Sequence, residues 1–336
     1  VRAIHSSDET KVIDAIAEAS ILATSVGAKI MPRIAGTLAR GLEKRLTLGR
    51  LPINILLCEN LHGAAAFMRE LLTGHLAAAT SFAVLSNTGL LETSIGRMIP
   101  VPSGETRTIH PAAVCAEPYK FLPYDAQSAK GKMPAVAGLV GDLTVPFAFY
   151  SDRKLYIHNL GHCLCAYLGE MSGDIFIADA IQRPAIRYLV RAAMLESALA
   201  LASHYDQSAA GLVDHIDNLL ARFCNRELHD TVERVGRDPE RKMAAGDRFL
   251  GAFQLACNTG GPRRYLTLSL AVGLNRLCRD NRWEAKQGSD YLRQIMPLSG
   301  QQEKIIIRIV NVLRDTPGSE RLIEIIDDEM SVLRLV

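Results

Sequence analysis

Through about the first 90 residues, short apolar runs alternate with apolar positions at helical spacing, the pattern of a parallel α/β sheet. Residues 20–26 (SILATSV) read as a buried strand ended by Gly27, and residues 32–46 then carry helical periodicity. Residues 53–58 form a second strand, β-branched and leucine-rich, ending at the polar step Glu59-Asn60; residues 61–76 are again helical. A third apolar run, residues 81–85, reads as a further strand closing at Asn87. In open parallel sheets ligands gather beyond the carboxyl ends of the strands, so Gly27 and Asn60 stand where a cofactor or substrate would lie. Two ordinary strand-ending turns are the alternative.

Prolines at 100, 102, 111, 118, 123, 134 and 146 break helices between residues 100 and 150, which predicts irregular strands or a long crossing connection and puts the domain boundary there. From Asp152 onward the pattern is almost wholly helical, with breaks near Gly173, Pro184, Asp206, Asn225, Pro239, Gly260 and Gly300. The expectation is an α/β domain over residues 1–150 and an all-α domain of roughly eight helices over 151–336, without an internal repeat.

Composition narrows the function. With 48% apolar and 22% charged residues the chain is globular rather than disordered. Lysine and arginine number 38 against 36 acids, so no overall field favours nucleic acid or an anionic membrane surface. No apolar run approaches the roughly 20 residues of a membrane span. The opening residues show no basic-then-apolar leader, and seven scattered cysteines read as reduced thiols, so a cytoplasmic protein is expected. Cys163 and Cys165, beside His158 and His162, invite a zinc reading, but structural zinc sites pair C-x2–4-C units, and no metal is expected.

Residues 152–169 (DRKLYIHNLGHCLCAYLG) carry the densest chemistry. Wound at 100° per residue, with Lys154 at zero, His158 falls near about 40°, His162 near about 80° and Asn159 near about 140°. Tyr156, Ile157, Leu160, Leu164, Tyr167 and Leu168 take the opposite arc. A half-buried lysine can lose its proton near neutral pH and take the hydroxyl proton of an alcohol as hydride leaves the adjacent carbon. An asparagine amide can donate to the developing oxygen, and a histidine can orient substrate or lysine. A solvated helix face with a chance histidine pair stands beside that reading.

Lys154-x4-Asn159-x2-His162 resembles the K-x4-N-x2-H signature of the polyol-specific long-chain dehydrogenases, the mannitol dehydrogenase family. TSVG (residues 24–27), CEN (58–60), RKLYIHNLGHCLCAYLG (153–169) and VERVGRDPERKMAAGDR (232–248) extend the resemblance, closest to the mannitol-1-phosphate 5-dehydrogenase branch, over roughly residues 19–260. It implies a Rossmann-type nucleotide-binding domain joined to an all-helical substrate domain, with the active site in the cleft between them. It further implies Lys154 as general acid/base, Asn159 and Asn60 polarising the reacting oxygen, His162 assisting orientation, and substrate contacts from Arg234 and Lys242. Val26, Gly27 and Glu59 fall on the cofactor side, the cofactor being NAD, with NADP an alternative. Arg237, Arg241 and Arg248, with Arg234 and Lys242, make a basic cluster dense enough to receive a phosphate.

Two features depart from the family pattern. No G-x-G-x-x-G occurs, so the first βαβ unit of the Rossmann domain is expected to be missing from this chain. At residues 95–100 (IGRMIP), Gly96 stands where the family carries an aspartate before Arg97. The expected activity is metal-independent, NAD-dependent interconversion of mannitol 1-phosphate and fructose 6-phosphate. Action on a free polyol or hexonate, or a non-catalytic descendant that binds a sugar phosphate or a partner, are the alternatives.

Overall fold

The computed structural model describes residues 2–100, 108, 110, 113–296 and 298–315. They group into two compact units, one drawn from Val1–Arg97 and Pro118–Ser151, the other from Met98–Glu117 and Asp152–Val336.

The first unit runs through α1 (Glu9–Glu18), β1 (Leu22–Thr24), α2 (Met31–Thr47), β2 (Ile53–Leu57), α3 (Ala64–His75), α4 (Ala78–Ser86) and β3 (Thr88–Glu92). β2 lies between β1 and β3 in a parallel sheet, with Ile55 opposite Leu22 on one side and Leu90 on the other. All five β2 residues are buried, as a strand covered on both faces requires. α2 turns Met31, Ala35, Leu38, Ala39 and Leu42 to the core, a three-to-four-residue spacing, where they share one cluster with Leu57, Met68 and Leu72. Each such leucine contributes about 1.5–3 kcal/mol by leaving water. Arg45 in the last turn of α2 donates to the carbonyls of Ala17 (2.8 Å) and Ala19 (2.6 Å), satisfying the frayed end of α1.

The expected third strand is corrected by one element. Residues 81–85 lie inside α4, and the strand is Thr88–Glu92. A five-residue apolar run fits a helix turn as well as a strand; what decides is pairing, because Gly89 lets β3 come against Asn54 of β2, whose side-chain oxygen would lie 2.3 Å from any added Cβ. Asn54 itself is buried and fully used: its amide donates to Gly131 O (2.6 Å) and accepts from the N–H groups of Lys130 (2.8 Å) and Gly131 (3.1 Å). The proline-rich region adds two short parallel strands, β4 (Leu122–Tyr124) and β5 (Leu139–Gly141).

Beyond α5 (Phe147–Arg153) comes a π-helical stretch, Lys154–Asn159, then α6 (Leu160–Met171), α7 (Ile177–Ala180), α8 (Pro184–Tyr205), α9 (Ala209–Phe223), α10 (Val232–Gly236), α11 (Pro239–Lys242), α12 (Arg248–Asn258), α13 (Arg264–Asn281), α14 (Ala285–Ile295) and α15 (Gly300–Asp315). The expected breaks fall between these helices: Pro184 and Pro239 open helices, Asp206 ends α8 with φ 51°, and Gly173 and Gly260 follow α6 and α12 with φ 74° and 66°. Among the described residues no helix is long and apolar enough to cross a membrane.

The π stretch changes the helical wheel. Its i→i+5 bonds turn the chain less per residue than an α-helix does, so a uniform 100° does not place the residues that follow. Ile157, Leu160, Leu164, Tyr167 and Leu168 are buried as the wheel requires; His158 is buried too, at 6% exposure, while its ring still lies beside that of His162, centroids 5.9 Å apart.

Candidate active site

Lys154 opens the π stretch and Asn159 closes it, with His162 in the first turn of α6. All three are partly buried. Burial, and secondarily the positive charge of Arg248, lower the Lys154 ammonium from 10.5 to about 8. Arg248 is held at the start of α12 by Asp247, whose carboxylate accepts from its backbone N–H (2.6 Å) and its Nε (2.8 Å). The turn before it meets the π stretch, where Tyr156 Oη donates to Gly246 O at 3.3 Å. A desolvated lysine beside a fixed cation is the arrangement that makes an ammonium acidic enough to exchange protons near neutral pH.

His162 is held on two sides. Its ring stacks on Phe223, centroids 4.9 Å apart and planes 16° from parallel. Its Nε2, itself buried, lies 2.8 Å from Oδ2 of Asp230, off the line of a finished hydrogen bond. The other oxygen of Asp230 accepts from Arg234 Nε (3.0 Å) and Nη2 (2.5 Å). Burial alone would raise the Asp230 carboxyl, but His162 and Arg234 outweigh it and hold the group below its ordinary value. His158 packs against both His162 and Phe223, and burial, followed by the neighbouring His162 and Arg222, pushes it far below the usual histidine range, so it stays neutral.

The basic cluster divides on inspection. Lys242 is buried at 4% exposure and donates to the carbonyls of Val235 (2.5 Å) and Arg237, closing the end of α10. Arg234 is half exposed. Arg237 and Arg241 are exposed, with Glu233 and Asp247 each 3.5 Å away.

In the first unit, Val26, Gly27, Glu59 and Asn60 stand at the carboxyl ends of β1 and β2. Glu59 is buried and accepts from Thr24 Oγ1 (2.7 Å) and Val26 N–H (3.1 Å), tying the two strand ends together. Gly27 has φ 82° and nothing within 4 Å of where a Cβ would stand. Asn60 is exposed. Cys163 and Cys165 are both buried, and among the described residues no three His, Cys, Asp or Glu side chains converge as a metal would need.

Sequence reasoning missed Asp230 and Phe223, and it offered Arg248 as part of the basic cluster rather than as the cation beside Lys154. Asp230 had a signal, an acid four residues before Arg234 at a helix start; Phe223 had none, because its contact with His162 is tertiary.

A family model of the mannitol dehydrogenase Rossmann domain matches residues 1–138, and one of the mannitol dehydrogenase C-terminal domain matches residues 147–328. The chain belongs to the mannitol dehydrogenase family. Its fold is accordingly the Rossmann-type domain followed by a helical domain seen in solved relatives. Pseudomonas fluorescens mannitol 2-dehydrogenase, in a ternary complex with NAD and D-mannitol, superposes with a TM-score of 0.69 at 16% identity over 98% of this chain and 77% of that one. A D-sorbitol dehydrogenase in substrate-free form gives 0.76 at 14% identity over 92% and 76%. The Lys154, Asn159 and His162 set lies in the part matched to the family's C-terminal domain; Gly27, Glu59 and Asn60 lie in its Rossmann part.

Proposed function

We propose that this protein is a metal-independent, NAD-dependent polyol dehydrogenase, interconverting mannitol 1-phosphate and fructose 6-phosphate in the cytoplasm, with Lys154 as general acid/base. The observation that carries the reading is Lys154 itself: a half-buried lysine lowered to about 8, followed by Asn159 and His162 at the family spacing. At that value a useful fraction is neutral at physiological pH, and the neutral amine can accept the carbinol proton. Membership of the mannitol dehydrogenase family supports the reaction class.

NAD, when bound, supplies the hydride acceptor. Val26 and Gly27 would meet it, since Gly27 leaves open space at the carboxyl end of β1 and a positive φ that side chains resist. Glu59 would serve indirectly, by holding the Val26 amide and thus the turn. On the substrate, Lys154 Nζ takes the O–H proton as the carbinol C–H electrons leave and the C=O bond forms; the reverse step returns that proton. Asn159 and Asn60 donate to the reacting oxygen, Arg234 contacts the polyol, and His162 fixes its orientation; Lys242, buried and bonded to the carbonyls of Val235 and Arg237, serves by holding the turn that carries Arg237. Arg237, just past the end of α10, and Arg241, in α11, are both exposed and would receive the phosphate.

A free polyol is the second reading, favoured by the carboxylates of Glu233 and Asp247 beside those two arginines, which offset part of their charge. NADH consumption with fructose 6-phosphate, set beside fructose, separates the two. Turnover of the phosphate that falls in Arg237→Gln and Arg241→Gln supports the first; turnover of fructose alone supports the second; consumption of neither overturns both.

A further inference from the structure

We propose that Asp230 is a positioning residue that uses one carboxylate to hold both His162 and Arg234, setting which of them donates and which accepts toward a polyol. The inference rests on the dehydrogenase reading for its kinetic consequences but not for its geometry. Asp230 is buried, at 8% exposure, and both of its oxygens face nitrogen: Oδ2 is 2.8 Å from His162 Nε2, and Oδ1 accepts two bonds from Arg234. Its backbone is fixed as well. Ile177 N–H donates to Asp230 O at 2.9 Å, and Thr231 bridges Phe176 in an antiparallel pair while its hydroxyl caps α10 through Arg234 N–H at 3.1 Å. With the backbone so fixed, the carboxylate can leave the histidine only by rotating its own side chain, which would break both bonds from Arg234.

The chemistry follows from the inventory of donors. An ionised carboxylate only accepts, so the imidazole nitrogen facing it carries the proton. A neutral His162 is therefore the Nε2–H tautomer, and its Nδ1 is an acceptor. Phe223 stacked on the ring prevents the flip that would exchange the two nitrogens. Arg234, half exposed, presents only donors. A polyol offers hydroxyls that both donate and accept, and a paired acceptor and donor anchored on one buried anion suits it. Nε2 and Oδ2 are already in contact but not aligned; hydrogen bonds at reaction centres commonly tighten only when substrate arrives.

The test reads the ring directly. In 15N-histidine-labelled wild-type protein, with His162 assigned through a His162→Gln variant, the two-bond nitrogen–proton spectrum should show the Nε2–H tautomer; an Nδ1–H tautomer overturns the proposal, and neither result depends on turnover. With the ketose, Asp230→Asn should lower kcat by about 10- to 100-fold and also raise KM several-fold, because it loosens both groups at once. Arg234→Lys should raise KM with kcat little changed, and Asp230→Glu should recover part of the kcat loss. If Asp230→Asn does not fold, the wild-type tautomer and Asp230→Glu decide; a folded Asp230→Asn with unchanged tautomer and unchanged kinetics overturns it. Failure of every substrate together with an Nε2–H tautomer would refute the dehydrogenase reading and leave the placement of the proton standing.

Discussion

The imidazole of His162 lies flat on the ring of Phe223, with centroids 4.9 Å apart and planes 16° from parallel. Phe223 is 2% exposed and is also touched by His158 at 5.8 Å, so one side chain sets two histidines. Phe223→Ala should cost about 3–5 kcal/mol in urea unfolding. It should also lower kcat about tenfold or more, since an ångström of freedom at a positioning group is expensive. Phe223→Leu should lose less of both. A truncation that leaves stability intact would show that the stack is not formed.

The charge of Arg248 predicts a pH signature. Lys154 stands at about 8, lowered by burial and then by Arg248. Polyol oxidation needs the neutral amine and should rise with pH through about 8; ketose reduction needs the ammonium and should fall through the same value. Arg248→Gln removes the cation, so both limbs should move to higher pH, by less than a full return to 10.5 because burial remains. Profiles of kcat/KM in both directions check this, and limbs that stay in place would remove Arg248 from the account.

Glu196 is a second titrating group, outside the proposed chemistry. Buried in α8, it accepts from the N–H groups of Tyr265 (2.7 Å) and Leu266 (2.9 Å) at the start of α13. Burial raises it from 4.5 to about 7, against the opposing pull of those amides. A folded-state value above the unfolded one means stability that is complete below about 4.5 and is lost as pH rises through about 7. Glu196→Gln keeps an acceptor but cannot ionise. Its melting temperature, relative to wild type, should therefore be more favourable at pH 8 than at pH 5; an equal difference at both would contradict the shift.

Gly251 lets α12 approach the π stretch. A Cβ there would lie 2.5 Å from the Tyr156 ring and 2.8 Å from the carbonyl oxygen of Gly246. Backbone cannot yield as a flexible side chain does, so Gly251→Ala should destabilise by about 1–3 kcal/mol. Because the displaced turn carries Asp247 and Arg248, it should also shift the Lys154 pH limb. Chemical denaturation and the same profile measure both effects.

Much of this was legible in the sequence. Periodicity located α2 and β2, because α2 buries a stripe and β2 is apolar throughout, and prolines and glycines marked the helix ends. The third strand was displaced because a short apolar run has no period of its own, whereas the pairing of Gly89 with Asn54 is a contact across 35 positions that no local pattern carries. Lys154, Asn159 and His162 were found by their spacing. The regular wheel put His158 beside His162, where it lies, but nothing in KLYIHN signals the π turn or that this histidine is buried. Asp230 and Phe223 escaped because their meaning lies in what the fold brings to His162 from 61 to 68 residues away.

The most direct test is the turnover of fructose 6-phosphate with NADH by wild-type protein and by Lys154→Ala, followed from pH 6 to 10. The substitution should lower kcat by about 10²- to 10⁴-fold with KM little changed, and abolish the limb near pH 8. A Lys154→Ala protein that keeps wild-type turnover and the same pH dependence would contradict this, because no proton could then be passing through Lys154.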